Sequence, residues 1–254
     1  MKIVLLQQDI EWGQPIPNRL KAEKTILSQR NADIFLLPEM FATGFAVNPS
    51  EMAEPADGPT LQWMKRLSKA TDAAIVGSIV VKENECFYNR MYFVCPDGST
   101  TYYNKRHLFS YGEEDKHFSA GKERVIVAFR GFRFLLQVCY DLRFPVFCRN
   151  RKDYDAILYV ANWPTSRIRV WQTLLRARAI ENQCFVAGVN RVGSDPACNY
   201  AGNSAIIDAY GQTLTECATE TEEVASAELD LPRLQSFRKK FPVLNDGDSF
   251  NLNF

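Results

Sequence analysis

Three strand candidates in this 254-residue chain each lead at once into a side chain able to do chemistry. Ile34–Leu37 leads into Pro38-Glu39, Thr101–Tyr103 into Asn104-Lys105, and Phe134–Val138 into Cys139-Tyr140-Asp141. A thiol must lose its proton before it attacks a carbonyl well. A lysine ammonium beside it stabilises the thiolate, and a glutamate can take the proton and later return it to a leaving amine. A sharp turn after the strand leaves the main-chain N–H of Tyr140 free to face a developing oxyanion. Taken singly, each residue has a plainer reading: Cys139 as a small core thiol, Glu39 as a helix cap, Lys105 as a solvated charge. Their shared design links them. Ligands in open α/β sheets gather beyond the carboxyl ends of strands, so three such ends can converge on one pocket.

Those ends need sheets to carry them. Short apolar runs predict buried strands at Ile3–Leu6, Ile34–Leu37, Ala74–Val81, Tyr92–Cys95, Val125–Phe129, Phe134–Cys139, Ile157–Val160, Phe185–Asn190, Ala205–Ile207 and Val224–Leu229. Helical patterns lie between them at Arg19–Arg30, Leu61–Ala70 and Val170–Asn182. This alternation is α/β. Hairpin-like pairs, Tyr92–Cys95 with Thr101–Tyr103 and Ala205–Ile207 with Val224–Leu229, argue against a purely parallel sheet, and two sheets covered by helices fit better. Asp97-Gly98 and Tyr210-Gly211 read as turns. The stretch around Pro49–Pro59 reads as a surface loop rather than a domain boundary, so one large domain is expected over residues 1–232, with 233–254 as an extension of it.

Composition narrows the function. Thirty basic and thirty acidic side chains give no net charge, which excludes a general nucleic-acid binder. The apolar start, Ile3–Leu6, stops too early for a signal peptide, and no run reaches the length of a membrane span. The expectation is a cytoplasmic protein without membrane partners. Seven widely spaced cysteines and two histidines, without a Cys-x-x-Cys pair, do not make a zinc site, so no metal is expected. No glycine-rich phosphate loop is present, which leaves nucleotide cofactors without support.

Five segments carry a family resemblance. Leu36-Leu37-Pro38-Glu39-Met40-Phe41, with Gly44-Phe45 following, resembles the glutamate motif of the carbon–nitrogen hydrolase, or nitrilase, superfamily. Tyr103-Asn104-Lys105-Arg106-His107-Leu108-Phe109 resembles its lysine motif, and Cys139-Tyr140-Asp141-Leu142-Arg143-Phe144-Pro145 its cysteine motif. Asn162-Trp163-Pro164 and Arg178-Ala179-Ile180-Glu181-Asn182 resemble segments downstream of that cysteine. The resemblance runs from about Lys2 to Leu231. It implies a four-layer α-β-β-α sandwich and a homodimer or larger homo-oligomer. It also implies Glu39 as general base, Lys105 as the cation beside the oxyanion, Cys139 as nucleophile, and no cofactor. A second glutamate, placed by the Phe118-Ser119-Ala120-Gly121 run, falls on Glu114, with Glu113 adjacent.

Within the superfamily the chain resembles the bacterial omega-amidases, through Tyr159–Pro164, Asn190-Arg191-Val192-Gly193 and Phe237–Pro242. That implies release of ammonia from the terminal amide of a short 2-oxo dicarboxylic acid monoamide. Nitrile or N-carbamoyl amino acid hydrolysis would run on the same triad, and a catalytically silent binding protein is the rival of another class. A substrate carboxylate calls for arginine, and Arg143, Arg167 and Arg191 each follow a strand end. Arg143 could equally pair with Asp141 or Glu181. Trp163, Phe41 and Phe45 are either pocket wall or core. His107 and His117 read as surface or packing residues without an Asp or Asn partner at an informative spacing.

Overall fold

The computed structural model describes residues 1–45 and 48–252; residues 253 and 254, the end of the expected extension, lie outside these. The strands run in chain order β1 (Lys2–Gln7), β2 (Ile34–Leu36), β3 (Glu54–Pro55), β4 (Ala74–Glu83), β5 (Cys86–Val94), β6 (Thr100–Asn104), β7 (Ile126–Phe129), β8 (Phe132–Val138), β9 (Ala156–Ala161), β10 (Phe185–Asn190), β11 (Val192–Ser194), β12 (Asn199–Ala201), β13 (Ala205–Ile207), β14 (Thr213–Glu216) and β15 (Glu223–Glu228). One sheet has the order β15-β1-β2-β4-β5-β6, with β3 on β4; the other is β14-β13-β10-β9-β8-β7. Each centres on three parallel strands, β1-β2-β4 and β8-β9-β10, flanked by antiparallel ones.

The helices are α1 (Pro15–Ser28), α2 (Pro59–Thr71), α3 (Glu114–His117), α4 (Pro145–Cys148), α5 (Ile168–Glu181) and α6 (Leu231–Lys240). The period-2 alternation of each strand makes the layers. On β8, Phe134, Leu136 and Val138 enter the core between the sheets, and Leu135 faces the core under α5. On β1, Ile3 and Leu5 point between the sheets, and Val4 and Leu6 point towards α1 and α2. Both faces are covered, which is why these strands read as unbroken apolar runs. Phe134 lies against Phe93 and Phe132 across the centre, and its truncation to alanine should cost about 3–5 kcal/mol.

Four local expectations change. The principal helices begin earlier than the apolar period suggests; Pro15 and Pro59 occupy first turns, where a missing N–H costs nothing. Ala205–Ile207 does not pair with Val224–Leu229. β13 pairs with β10 and β14, whereas β15 crosses to β1 and closes the edge of the other sheet. Inside the expected surface loop, Glu54–Pro55 forms a short strand on β4. α6 follows an Asp230 cap on the Arg233 N–H, and its Arg238 binds Asp155 and the carbonyls of Tyr154 and Gln183. Leu234 and Phe237 thereby pack on the central core. Among the described residues no helix is long and apolar enough to cross a membrane.

Candidate active site

The carboxyl ends of β2, β6, β8 and β9 meet at one cavity of about 490 Å³. Glu39, Lys105 and Cys139 line it, as do Phe45, Tyr140 and Trp163. Cys139 opens a single 3₁₀ turn after β8 and has φ +45°, a left-handed conformation that is strained for a side chain bearing Cβ. The turn leaves its first N–H groups, that of Tyr140 among them, without intrahelical acceptors. Met40, just after Glu39, is also left-handed, at φ +43°. Its N–H donates to Ser78 Oγ on β4 at 2.9 Å.

The charged groups form one buried set. Lys105 Nζ lies 2.9 Å from Glu39 Oε1 and 2.8 Å from Glu114 Oε2, and all three side chains are fully buried. Glu39 Oε2 accepts the Asn162 N–H at 2.9 Å, and the Asn162 side-chain amide donates to the Glu39 carbonyl at 2.9 Å. Glu114 also accepts the Phe109 N–H at 2.7 Å. Glu113 is exposed and pairs with Lys116, so the geometry puts the second carboxylate at Glu114. The Lys105 loop is tight: a Cβ on Gly121 would come within 2.0 Å of the Asn104 carbonyl.

Burial alone would push the Lys105 ammonium down. The carboxylates of Glu114 and Glu39 outweigh it and hold the group well above the ordinary lysine range. Burial raises Glu114, with Lys105 pulling it down and the Glu39 charge adding to the rise. The thiol departs from expectation. Burial and the Glu39 carboxylate push Cys139 well above an ordinary thiol, and the opposing pull of Lys105 is too weak to reverse this. Cys139 therefore rests as a thiol, and drawing off its proton takes a base rather than a lysine alone.

Several supports went unnoticed in the sequence. Asn89, in the middle of β5, donates from Nδ2 to both Glu39 and Glu114. Asp141 fastens the turn behind Cys139: it accepts the Val138 N–H, the Tyr103 hydroxyl and the His107 N–H, and lies 2.8 Å from His107 Nδ1. His107 stacks on Phe144 with ring centroids 3.9 Å apart, so it packs as expected but does have an aspartate partner. His117 is exposed. Arg178 holds the Leu142 carbonyl and Glu181. The motif Arg178–Asn182 thus supports the cysteine turn from α5.

The arginine candidates separate. Arg191 is buried, bonded to Asp9 and to the carbonyls of Ile10, Val192 and Ser194, and does not line the cavity. Arg143 and Arg167 do line it. Arg143 lies over the Trp163 ring at 5.2 Å and Arg167 over Phe109 at 5.4 Å, and neither guanidinium has a carboxylate partner among the described residues. Neither alternative pair for Arg143 forms among the described residues: Asp141 pairs with His107 and Glu181 with Arg178. Trp163 is both wall and packing: it lines the cavity, is 2% exposed, and sits 5.6 Å from Trp171. Phe41 is core, against Trp63.

Fold and site together define a class: an α-β-β-α sandwich with a thiol on a strained turn beside a buried carboxylate–lysine–carboxylate set. The chain belongs to the carbon–nitrogen hydrolase family, whose pattern matches residues 2–239. It is 47% identical to omega-amidase YafV of Yersinia enterocolitica over 253 residues, 99% of this chain and 98% of that one. It is 38% identical to 2-oxoglutaramate amidase of Bacillus subtilis, over 96% of each chain. A CN-hydrolase superfamily protein of Xanthomonas campestris, with an arsenic adduct in its active site, superposes with a TM-score of 0.97 at 44% identity. That match covers 100% of this chain and 99% of the other.

Proposed function

We propose that this enzyme is an omega-amidase that releases ammonia from the terminal amide of a short 2-oxo dicarboxylic acid monoamide. One observation carries the reading: the cavity that holds Cys139 beside the Glu39–Lys105 pair also presents two guanidinium groups, Arg143 and Arg167, without carboxylate partners among the described residues. The floor suits an amide carbonyl, and the wall suits a carboxylate at the far end of a short substrate. The similarity to omega-amidase YafV and 2-oxoglutaramate amidase supports the same choice.

In the first half-reaction Glu39 accepts the Cys139 proton and the sulfur forms a bond to the amide carbon. The carbonyl π electrons move to oxygen, where the Lys105 ammonium and the Tyr140 N–H receive the charge. Collapse of this adduct breaks the C–N bond; Glu39 gives its proton to the nitrogen, and ammonia leaves a thioester. In the second half Glu39 takes a proton from water, hydroxide adds to the thioester carbon, and the C–S bond breaks. The proton returns to sulfur, and the product is the dicarboxylic acid. Glu114 holds the lysine in place throughout.

We further propose a cytoplasmic site of action, supported by seven free thiols, which a reducing compartment preserves. A homodimer or larger form is supported by the exposed rings of Tyr210 and Phe241, which flank the half-buried Phe237, and light scattering measures it directly. For substrate, the test compares kcat/KM for 2-oxoglutaramate, succinamate, a neutral amide of equal length, an aliphatic nitrile and an N-carbamoyl amino acid. The two acidic amides should lead, because a cavity donor left unpaired costs about 1–3 kcal/mol. Equal turnover of the neutral amide would show that no carboxylate is recognised. A nitrile or N-carbamoyl amino acid ahead of both acids would replace the assignment.

A further inference from the structure

Asn89 touches every charged member of the buried set. Its Nδ2 donates to Glu39 Oε1 at 2.7 Å and to Glu114 Oε1 at 3.1 Å, and its main-chain carbonyl accepts the Lys105 N–H at 2.9 Å. The residue is fully buried on β5, which lies between β4 and β6. Its Oδ1 is also buried and finds no partner among the described residues. The reverse amide orientation would aim that oxygen at two carboxylates, so chemistry dictates which end faces them. An amide kept only to stabilise the strand would satisfy both ends; here the acceptor is left bare while both donor directions serve the acids.

The need for such a bridge follows from the charges. Glu39 and Glu114 share one lysine, and two carboxylates at one site tend to retain a proton between them. A proton retained on Glu39 would disable it as the acceptor for Cys139. A neutral donor bonded to both acids opposes that retention without adding a second cation, which would draw charge away from the oxyanion position. The titratable groups gathered at this point are Glu39 after β2, Lys105 after β6, Glu114 on α3 and Cys139 after β8.

We propose that Asn89 is a positioning residue that keeps Glu39 and Glu114 ionised together, so that Glu39 enters the reaction as a free base. This rests on Glu39 being the proton acceptor.

The test is the pH profile of kcat/KM for Asn89→Leu, which is close in size and lacks the donors. Removing a donor from a carboxylate raises its pKa, so activity should fail sooner as pH drops. The acidic limb should move up by about one pH unit, the size of one charge-assisted hydrogen bond. On the acidic limb kcat should fall by up to about tenfold, with KM changed less than about twofold, and the plateau above the limb should be kept. If Asn89→Leu does not accumulate as folded protein, Asn89→Ser, too short to bridge both acids, is read the same way. An acidic limb that stays in place, or a loss confined to KM, overturns the proposal. Glu39→Gln run in parallel separates the two readings. If Glu39→Gln keeps its activity, the assignment of the base has failed. If it is inactive while the Asn89 variant keeps the wild-type profile, only the role of Asn89 has failed.

Discussion

On the floor of the cavity, Glu39, Lys105 and Glu114 are fully buried, and each is bonded to at least one of the others. On its wall, Arg143 and Arg167 lie against aromatic rings with no carboxylate partner among the described residues. The two regions face the same space and follow opposite rules. The floor charges are paired with one another in the resting protein, because a buried charge without a partner costs several kcal/mol. In the proposed function the two wall guanidinium groups, partly exposed and unpaired with any carboxylate among the described residues, leave the substrate to supply the missing acceptor. Floor substitutions should therefore act on kcat and on stability, and wall substitutions on KM and on substrate choice.

The sharpest break of the floor is Cys139→Ala. Loss of a nucleophile that acts as part of a unit lowers kcat by about 10⁶, whereas the packing lost with one small side chain is modest. Turnover should vanish while the thermal midpoint stays near wild type. Lys105→Ala should cost kcat about 10²–10³. It should also cost stability about 3–5 kcal/mol, because two buried carboxylates lose their cation. Denaturant titration reads the second effect. A Lys105→Ala protein as stable as Cys139→Ala would contradict the buried pairing described for the floor.

Glu39→Gln sharpens the contrast in another way. The Glu39 charge helps to hold the Cys139 thiol up, so its removal lowers the thiol's pKa and enlarges the thiolate fraction at a fixed neutral pH. Hydrolysis should collapse, yet iodoacetamide labelling of Cys139 should quicken; Lys105→Ala, which removes the opposing pull, should slow it. Peptide mapping of the labelling rate decides between these signs. On the wall, Arg143→Ala and Arg167→Ala should each lower kcat/KM for an acidic amide by about 10–100-fold, the worth of a hydrogen bond to a charged group, and leave a neutral amide almost untouched. The smallest effect is expected from His107→Gln. His107 does not line the cavity and acts through Asp141 and Phe144, and the amide of glutamine can replace part of the Asp141 contact, so a few-fold loss of kcat is expected. A loss as large as that of Cys139→Ala would favour a Cys–His mechanism.

What the sequence made legible follows from local physics. Strands buried on both faces, such as β2 and β8, are continuous apolar runs, and Glu39 and Cys139 come shortly after them; Lys105 follows the half-exposed β6, whose Thr-Thr-Tyr-Tyr run marks a strand by its β propensity. The rest depended on distance. Asn89 is one polar residue in a strand, and its partners lie 50 and 25 positions away. The His107–Asp141 contact spans 34 residues, and nothing near either one announces it. The resting state of the thiol depends on burial and on a carboxylate brought from another strand, so a lysine in the sequence suggested a thiolate that the folded site does not favour. The crossing of β15 to β1 is likewise a matter of which edge needs closing, and its local pattern fits either partner. α6 had a readable signal, an aspartate cap two residues before Pro232, but too few apolar positions to stand out by periodicity.

The covalent intermediate provides the most direct test. Wild-type protein should be quenched in acid during turnover of a slow acidic amide, digested and mapped by mass spectrometry. The mechanism predicts the mass of the amide substrate, less that of ammonia, added to the peptide that contains Cys139, absent from Cys139→Ala and lost when turnover is allowed to finish. Cys198 is the other thiol lining the cavity and serves as the internal control. An acyl group on Cys198, or turnover without any acylated cysteine, would contradict the assignment of Cys139 as the nucleophile.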